Sequence, residues 1–179
     1  MNRLWHNEMT YQNRKIIIDT SMVDGRWETI VMYSNGHELE NPIRESDKNT
    51  ATENHFETVR RWREKADSEP LTGKYLKLSE DLNSAFKKAV EDCADGSDGG
   101  TCNFDAPALY LPRWNAERVE KAAKQAGHGC FTWNSYGEKR YVIALRLPYQ
   151  GEKRSRIAEH MNGILKAMGY DSFMYYQMD

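Results

Sequence analysis

Residues 129–147, GCFTWNSYGEKRYVIALRL, decide how this chain is read. Cys130, Phe131 and Trp133 on one side of Tyr136-Gly137 and the β-branched, aromatic run Tyr141-Val142-Ile143 on the other are strand-forming segments. Gly137 supplies the turn between them. The stretch is therefore a hairpin, with strands expected over 129–135 and 139–147. Upstream, Asn115 caps a helix carrying Ala116, Val119, Ala122, Ala123 and Ala126, and Gly127 stops it. A strand over 102–111 precedes that helix. Downstream, Pro148–Gly151 leads into a helix with Ile157, Met161, Ile164, Leu165 and Met168, stopped by Gly169. The last strand is 172–178, SFMYYQM.

The resulting order is β-α-β-β-α-β, the pattern of a ferredoxin-like module spanning 101–179. Right-handed crossovers put both helices on one face of a four-stranded antiparallel sheet. The other face needs a cover or a use. Ahead of the module, Leu82, Ala85, Phe86, Ala89, Val90 and Cys93 recur at the helical period, with Ser79 as the expected cap. This amphipathic helix and the Gly/Asp-rich stretch 95–100 form a connecting segment, 76–100. The helix is expected either to close the N-terminal sheet or to bridge to the C-terminal module, where it would cover the free sheet face by packing against the first module.

The first module, 1–75, is expected to be β-β-β-α. A strand signal over 9–19 contains Ile16-Ile17-Ile18, and 26–34, RWETIVMYS, alternates well. Asn35-Gly36 predicts a type I′ hairpin turn into a third strand over 37–44, which Pro42 confines to an edge. Thr50-Ala51-Thr52-Glu53 predicts a capping box. The helix behind it turns Phe56, Val59, Trp62 or Arg63, and Ala66 inward and holds Arg60, Arg61, Arg63 and Lys65 on the opposite face, and ends at 67–70. The fold class is thus α+β, two antiparallel modules with helices on one face of each sheet.

Composition narrows the function. The chain has 179 residues, 39% hydrophobic and 29% charged, with a net charge of −2, which excludes a polybasic nucleic-acid binder and a polyanionic mimic of DNA. Residues 1–100 hold 14 basic and 19 acidic side chains, and residues 101–179 hold 11 and 8. The longest apolar runs are too short for a membrane span, and the N-terminal stretch lacks the apolar core of a secretory signal. Three cysteines make a disulfide framework improbable and a reducing cytoplasm the expected setting.

Few constellations suggest chemistry. Cys93, Cys102, His128 and Cys130 are suitable zinc ligands, but no CxxC pair exists and buried thiols are the better reading. Asp92, Asp95, Asp98 and Asp105 surround the glycine stretch without the order of a calcium loop. Its glycines lack the lysine of a phosphate-binding loop. His37, His55 and His160 are expected at surface or edge positions, and no nucleophile motif accompanies them. We therefore expect no cofactor, no metal and no catalytic residue. Binding residues are expected in three groups. The acidic set Glu80, Asp81, Glu91, Asp92, Asp95 and Asp98 suits a positively charged channel. Arg60, Arg61 and Arg63 suit phosphate or an acidic protein. Trp133, Arg140, Tyr141 and Arg146 would be the stacking and phosphate contacts if the C-terminal sheet took single-stranded nucleic acid.

Two stretches carry a resemblance. Arg26-Trp27-Glu28-Thr29-Ile30-Val31-Met32, followed by a turn, a short strand and Thr52-Glu53-Asn54-His55-Phe56, resembles a leader of small proteins from phages and mobile elements of gut Firmicutes. That leader reads Y/W-E-T-hydrophobic-V and then T-E-x-x-A-x-x-x-H; here the small residue and the histidine are displaced, with His55 two residues after Glu53. Gly100-Thr101-Cys102-Asn103-Phe104-Asp105, with the tail from Gly169-Tyr170-Asp171 to Tyr176-Gln177-Met178-Asp179, is similar to accessory proteins of the same setting. Together they cover about half of the chain. The resemblance implies a non-enzymatic interaction protein that blocks a host defence machine, such as an anti-CRISPR protein acting on guide-loaded Cas9. It carries over no site residues. The alternative is a single-stranded nucleic-acid-binding protein.

Overall fold

The computed structural model describes residues 2–95, 99–100, 104–135, 137–149 and 151–177. The chain divides into two compact units, residues 1–70 and 71–179. The division falls after Pro70 rather than at 75/76 or in the Gly/Asp stretch, whose residues 96–98 lie outside the described residues. The reason is hydrophobic: Leu71, Tyr75, Leu78 and Leu82 are all buried in the core of the second unit.

The first unit is a four-stranded antiparallel meander: β1 (Arg3–Tyr11), β2 (Arg14–Val23), β3 (Arg26–Tyr33) and β4 (Ile43–Glu45), in that spatial order. The expected single strand over 9–19 is two strands. They turn at Gln12 and Asn13, whose φ values of 49° and 59° give the left-handed pair a tight hairpin needs. Gly36 does adopt a positive φ, but Asn35 does not. The Gly36 N–H donates to Tyr33 O and the Tyr33 N–H to His37 O, so the turn is a three-residue loop with a bulged glycine, not type I′. The return strand shrinks to one bridge, Met32 with Glu38, and the three residues of β4 after Pro42.

Helix α1 (Lys48–Ser68) packs against this sheet. Its cap is Asp47, which accepts from Thr50 N at 2.7 Å, three residues ahead of the expected capping box. The core joins Met9, Ile16, Ile18 and Val31 to Val59 and Trp62. Phe56 is 48% exposed, and fully buried His55 takes its place in the inward stripe.

In the second unit, α2 (Gly73–Asp92) begins six residues before the expected cap, and Ser79 is buried within it. The sheet contains β5 (Ala106–Tyr110), β6 (Gly129–Ser135), β7 (Glu138–Ala144) and β8 (Ser172–Tyr175), in the order β6-β7-β5-β8 and antiparallel throughout. Helices α3 (Ala116–Gln125) and α4 (Glu152–Ala167) complete the β-α-β-β-α-β unit. Asn115 Oδ1 caps α3 by accepting from Arg118 N, and Gly127 and Gly169 take the positive φ that ends α3 and α4. Helix α2 packs against α3 and α4. It therefore joins the helical side of this unit and does not cover the opposite sheet face, which corrects the expectation from sequence. The large core runs from Leu78 and Leu82 through Val119, Ile157, Met161 and Leu165 to Leu109, Tyr141 and Ile143 of the sheet.

Candidate interaction face

Side-chain alternation divides the second sheet cleanly. Register pairs Phe131 with Val142 and Trp133 with Arg140, and pairs Ala108 with both Val142 and Phe173. Ala106, Ala108, Tyr110, Phe131, Trp133, Arg140, Val142, Phe173 and Tyr175 therefore share the face away from the helices. The two middle strands contribute the small floor, Ala106, Ala108 and Val142, each fully buried. The two edge strands, together with Phe104 just ahead of β5, contribute the aromatics that bury it. Trp133 meets Tyr175 at 5.0 Å and Phe173 at 5.5 Å between ring centroids. Phe131 meets Tyr175 at 5.8 Å and Phe104 at 5.9 Å. The result is a roof of five rings, mostly tilted or edge-to-face, the geometry aromatic quadrupoles prefer. Phe131 is 39% exposed at its margin.

The roof is close to neutral. Arg140 lies over the Phe173 ring at 4.2 Å, and its guanidinium is paired with Glu138 at 2.8 Å and Asp171 at 3.2 Å. Arg154, buried, stacks over Phe104 and donates to Leu145 O. Neither cation is free to hold a phosphate.

The four residues expected to serve a nucleic acid are accordingly separated. Trp133 and Arg140 are on the open face. Tyr141 is 3% exposed on the helix-facing side, where its hydroxyl donates to Trp114 O. Its burial follows from a one-residue step along β7, which reverses the face. Burial pushes the Tyr141 phenol up. Arg146 is exposed beyond the end of β7 and acts on buried His128. Lys153 and Arg156 donate to the carbonyls of Ala94 and Asp95, just past the α2 C-terminus, where positive charge is favoured.

The acidic set is not one acidic surface. Asp81 accepts from Tyr170 Oη at 2.6 Å and pairs with Lys77. Asp92 pairs with Lys88 at 3.0 Å and with His160 at 2.8 Å, contacts that hold its carboxyl below the ordinary range. Glu80 and Glu91 are exposed on α2, with Lys87 and Lys88 between them in sequence. Asp95 is exposed, and Asp98 lies outside the described residues. Of the basic set, Arg60 pairs with Glu57 and Glu64, and Arg61 with Glu40 at 2.6 Å; Arg63 is exposed on the same helix.

The sequence reading missed a polar relay inside the first unit. His55 Nδ1 is 2.9 Å from Thr20 Oγ1, Thr20 is 2.7 Å from Thr29 Oγ1, and His55 Nε2 is 2.7 Å from Asn7 Oδ1. A neutral imidazole protonated at Nε2 satisfies every member: Nε2–H donates to Asn7, Thr20 donates to Nδ1, and Thr29 donates to Thr20. Burial lowers the His55 pKa, opposed by nearby Asp19. The available signal was helical spacing, since Ala51, His55, Thr58 and Trp62 fall on one stripe. His160 is at the surface, as expected, and His37 stacks on Tyr33.

Cys93 and Cys130 are free thiols, and burial pushes Cys130 up to about 12. Cys102 lies outside the described residues. Among the described residues, no group of three or more His, Cys, Asp or Glu converges as a metal site, and no helix is long and apolar enough to cross a membrane.

Comparison of the chain with protein-family models, with curated proteins and with solved structures found no match in any of the three.

Proposed function

We propose that this chain is a non-enzymatic interaction protein that docks a protein partner on the open face of its C-terminal sheet. The observation that carries this reading is the charge-neutral aromatic roof. Large aromatic side chains dominate the energetics of protein interfaces. A nucleic acid, in contrast, needs free cations along its backbone, and Arg140 and Arg154 are already engaged. The T-shaped packing of Trp133 on Tyr175 also turns ring edges into the roof rather than leaving flat platforms for bases.

The resemblance of residues 26–32 and 52–56 to phage and mobile-element proteins directs the partner toward a host defence machine. Its action there would be steric: occlusion of nucleic-acid loading or of nuclease-domain docking in a CRISPR–Cas9 effector, whose channels are built for guide and target. The test is capture of purified guide-loaded Cas9 by the protein, together with a cleavage assay. Binding with loss of cleavage, both weakened by Phe131→Ala, is expected. No binding and undiminished cleavage would remove that target. Fluorescence anisotropy with short RNA and DNA at low salt is expected to be flat. A salt-sensitive rise would replace the protein partner with a nucleic acid.

A further inference from the structure

Four strands border the two sheets: β1 and β4 in the first, β6 and β8 in the second. A border strand offers unpaired backbone N–H and C=O groups, and folded chains blunt this with charge, proline, bulges or brevity. β1 carries Arg3, His6 and Glu8 and a register shift between Arg3 and Trp5. β4 has three residues, two of them charged, directly after Pro42. β8 has four residues. β6 has none of these protections. It is seven residues long, GCFTWNS, without charge or proline, and it pairs with β7 in unbroken register from Gly129 to Ser135.

We propose that β6 is a strand-addition site whose occupant is a second copy of this chain, paired antiparallel about a two-fold axis at Thr132. The backbone fixes the register. Only two residues separate the paired Ser135 and Glu138, so these form a narrow, hydrogen-bonded pair, and so do Trp133 with Arg140 and Phe131 with Val142. The N–H and C=O groups of Cys130, Thr132 and Asn134 therefore point to the free edge. About a two-fold at Thr132, that residue pairs with its own copy, and Cys130 pairs with Asn134 of the second copy. Phe131 then falls opposite Trp133 of the second copy, in the wide pairs where side chains approach most closely.

The Thr132–Thr132 and Phe131–Trp133 pairings this symmetry creates are favourable. No like charges are opposed, because the strand has none. Thr–Thr and aromatic cross-strand pairs stabilise antiparallel sheets, and a two-fold contact requires this self-complementarity. Phe131, half-open at the margin of one roof, gains the second copy's Trp133 as a neighbour. Because the two-fold is perpendicular to the sheet, the two roofs lie on the same side and form one continuous aromatic face on an eight-stranded sheet. The pairing stands whether or not the roof takes a protein partner.

Sedimentation of the full chain from low to high micromolar concentration tests it. A concentration-dependent dimer is expected. Thr132→Pro removes an outward N–H and spares the bonds to β7, as border strands tolerate; circular dichroism checks its fold, and a monomer is expected. Thr132→Lys and Thr132→Glu oppose like charges at the axis, so each alone should be monomeric and their equimolar mixture dimeric. A wild-type chain monomeric at high micromolar concentration overturns the proposal. So does a dimer that survives Thr132→Lys, or a charge-swapped mixture that stays monomeric.

Discussion

Trp133 on β6 and Tyr175 on β8 meet edge-to-face at 5.0 Å, although β7 and β5 separate their strands. They reach each other because the strands between them carry alanine and valine on that face. The floor of Ala106, Ala108 and Val142 thus owes its burial to border-strand aromatics and Phe104. A sheet face that would otherwise be apolar and wet becomes a second small core whose outer surface is aromatic.

Truncation of Trp133 and of Phe131 should consequently separate stability from binding. Trp133→Ala removes contacts with both Tyr175 and Phe173 and uncovers the floor. A loss of about 2 kcal/mol is expected, below the range for a fully buried tryptophan because Trp133 is only partly buried. Phe131→Ala, at the exposed margin, should cost less than about 1 kcal/mol and act on partner capture instead. Urea unfolding of the two variants, alongside the capture assay, checks the order; equal destabilisation by both would show that Phe131 is structural.

The relay around His55 makes Thr20 the more costly threonine to lose. Thr20→Val keeps the shape but leaves His55 Nδ1 without a donor in a buried setting. An unsatisfied buried group costs about 1–3 kcal/mol. Thr29→Val removes only the donor to Thr20 and should cost less. The urea midpoint of the first unit's transition measures both.

Asp47 rather than Thr50 starts α1. Asp47→Ala removes the acceptor for Thr50 N and Thr50 Oγ1 and should cost about 1 kcal/mol, the ordinary value of an N-cap. Thr52→Ala keeps that cap intact and should leave stability nearly unchanged by the same thermal-unfolding measurement, although it loses a bond from exposed Trp5.

The second unit was the more legible because its punctuation is local. Asn115, Gly127 and Gly169 mark helix ends by side-chain capping and positive φ, which a sequence states directly. The first unit hid its opening hairpin because Gln12-Asn13 adopts the left-handed pair without a glycine. The isoleucine run then read as one strand continuing through it. The aromatic roof was half legible. The strands and their aromatics were visible, but choosing between Arg140 and Tyr141 as face residues required a register that only pairing with β5 and β6 supplies. The acidic set on α2 failed as a group for another reason: Lys77 and Lys88 sit four residues from Asp81 and Asp92 and pair with them.

His128 makes the second unit sensitive to acid. Its ring is 2% exposed, packs edge-to-face on Phe86 at 4.6 Å, and has no hydrogen-bond partner at either nitrogen among the described residues. Burial, reinforced by the charge of Arg146, lowers its pKa to about 4. In the unfolded chain the same group titrates near 6.5. Between these values the unfolded state binds the extra proton, so the folded state is fully favoured above about pH 6.5 and loses ground as pH falls toward 4. Replacing the ring with an apolar one of similar size removes the proton site without creating a cavity. His128→Phe should therefore leave stability near neutral pH little changed and flatten its decline between pH 6.5 and 4. Urea midpoints of the wild type and the variant across that window measure the difference. Parallel pH profiles for the two chains would assign the acid sensitivity to the carboxylates instead.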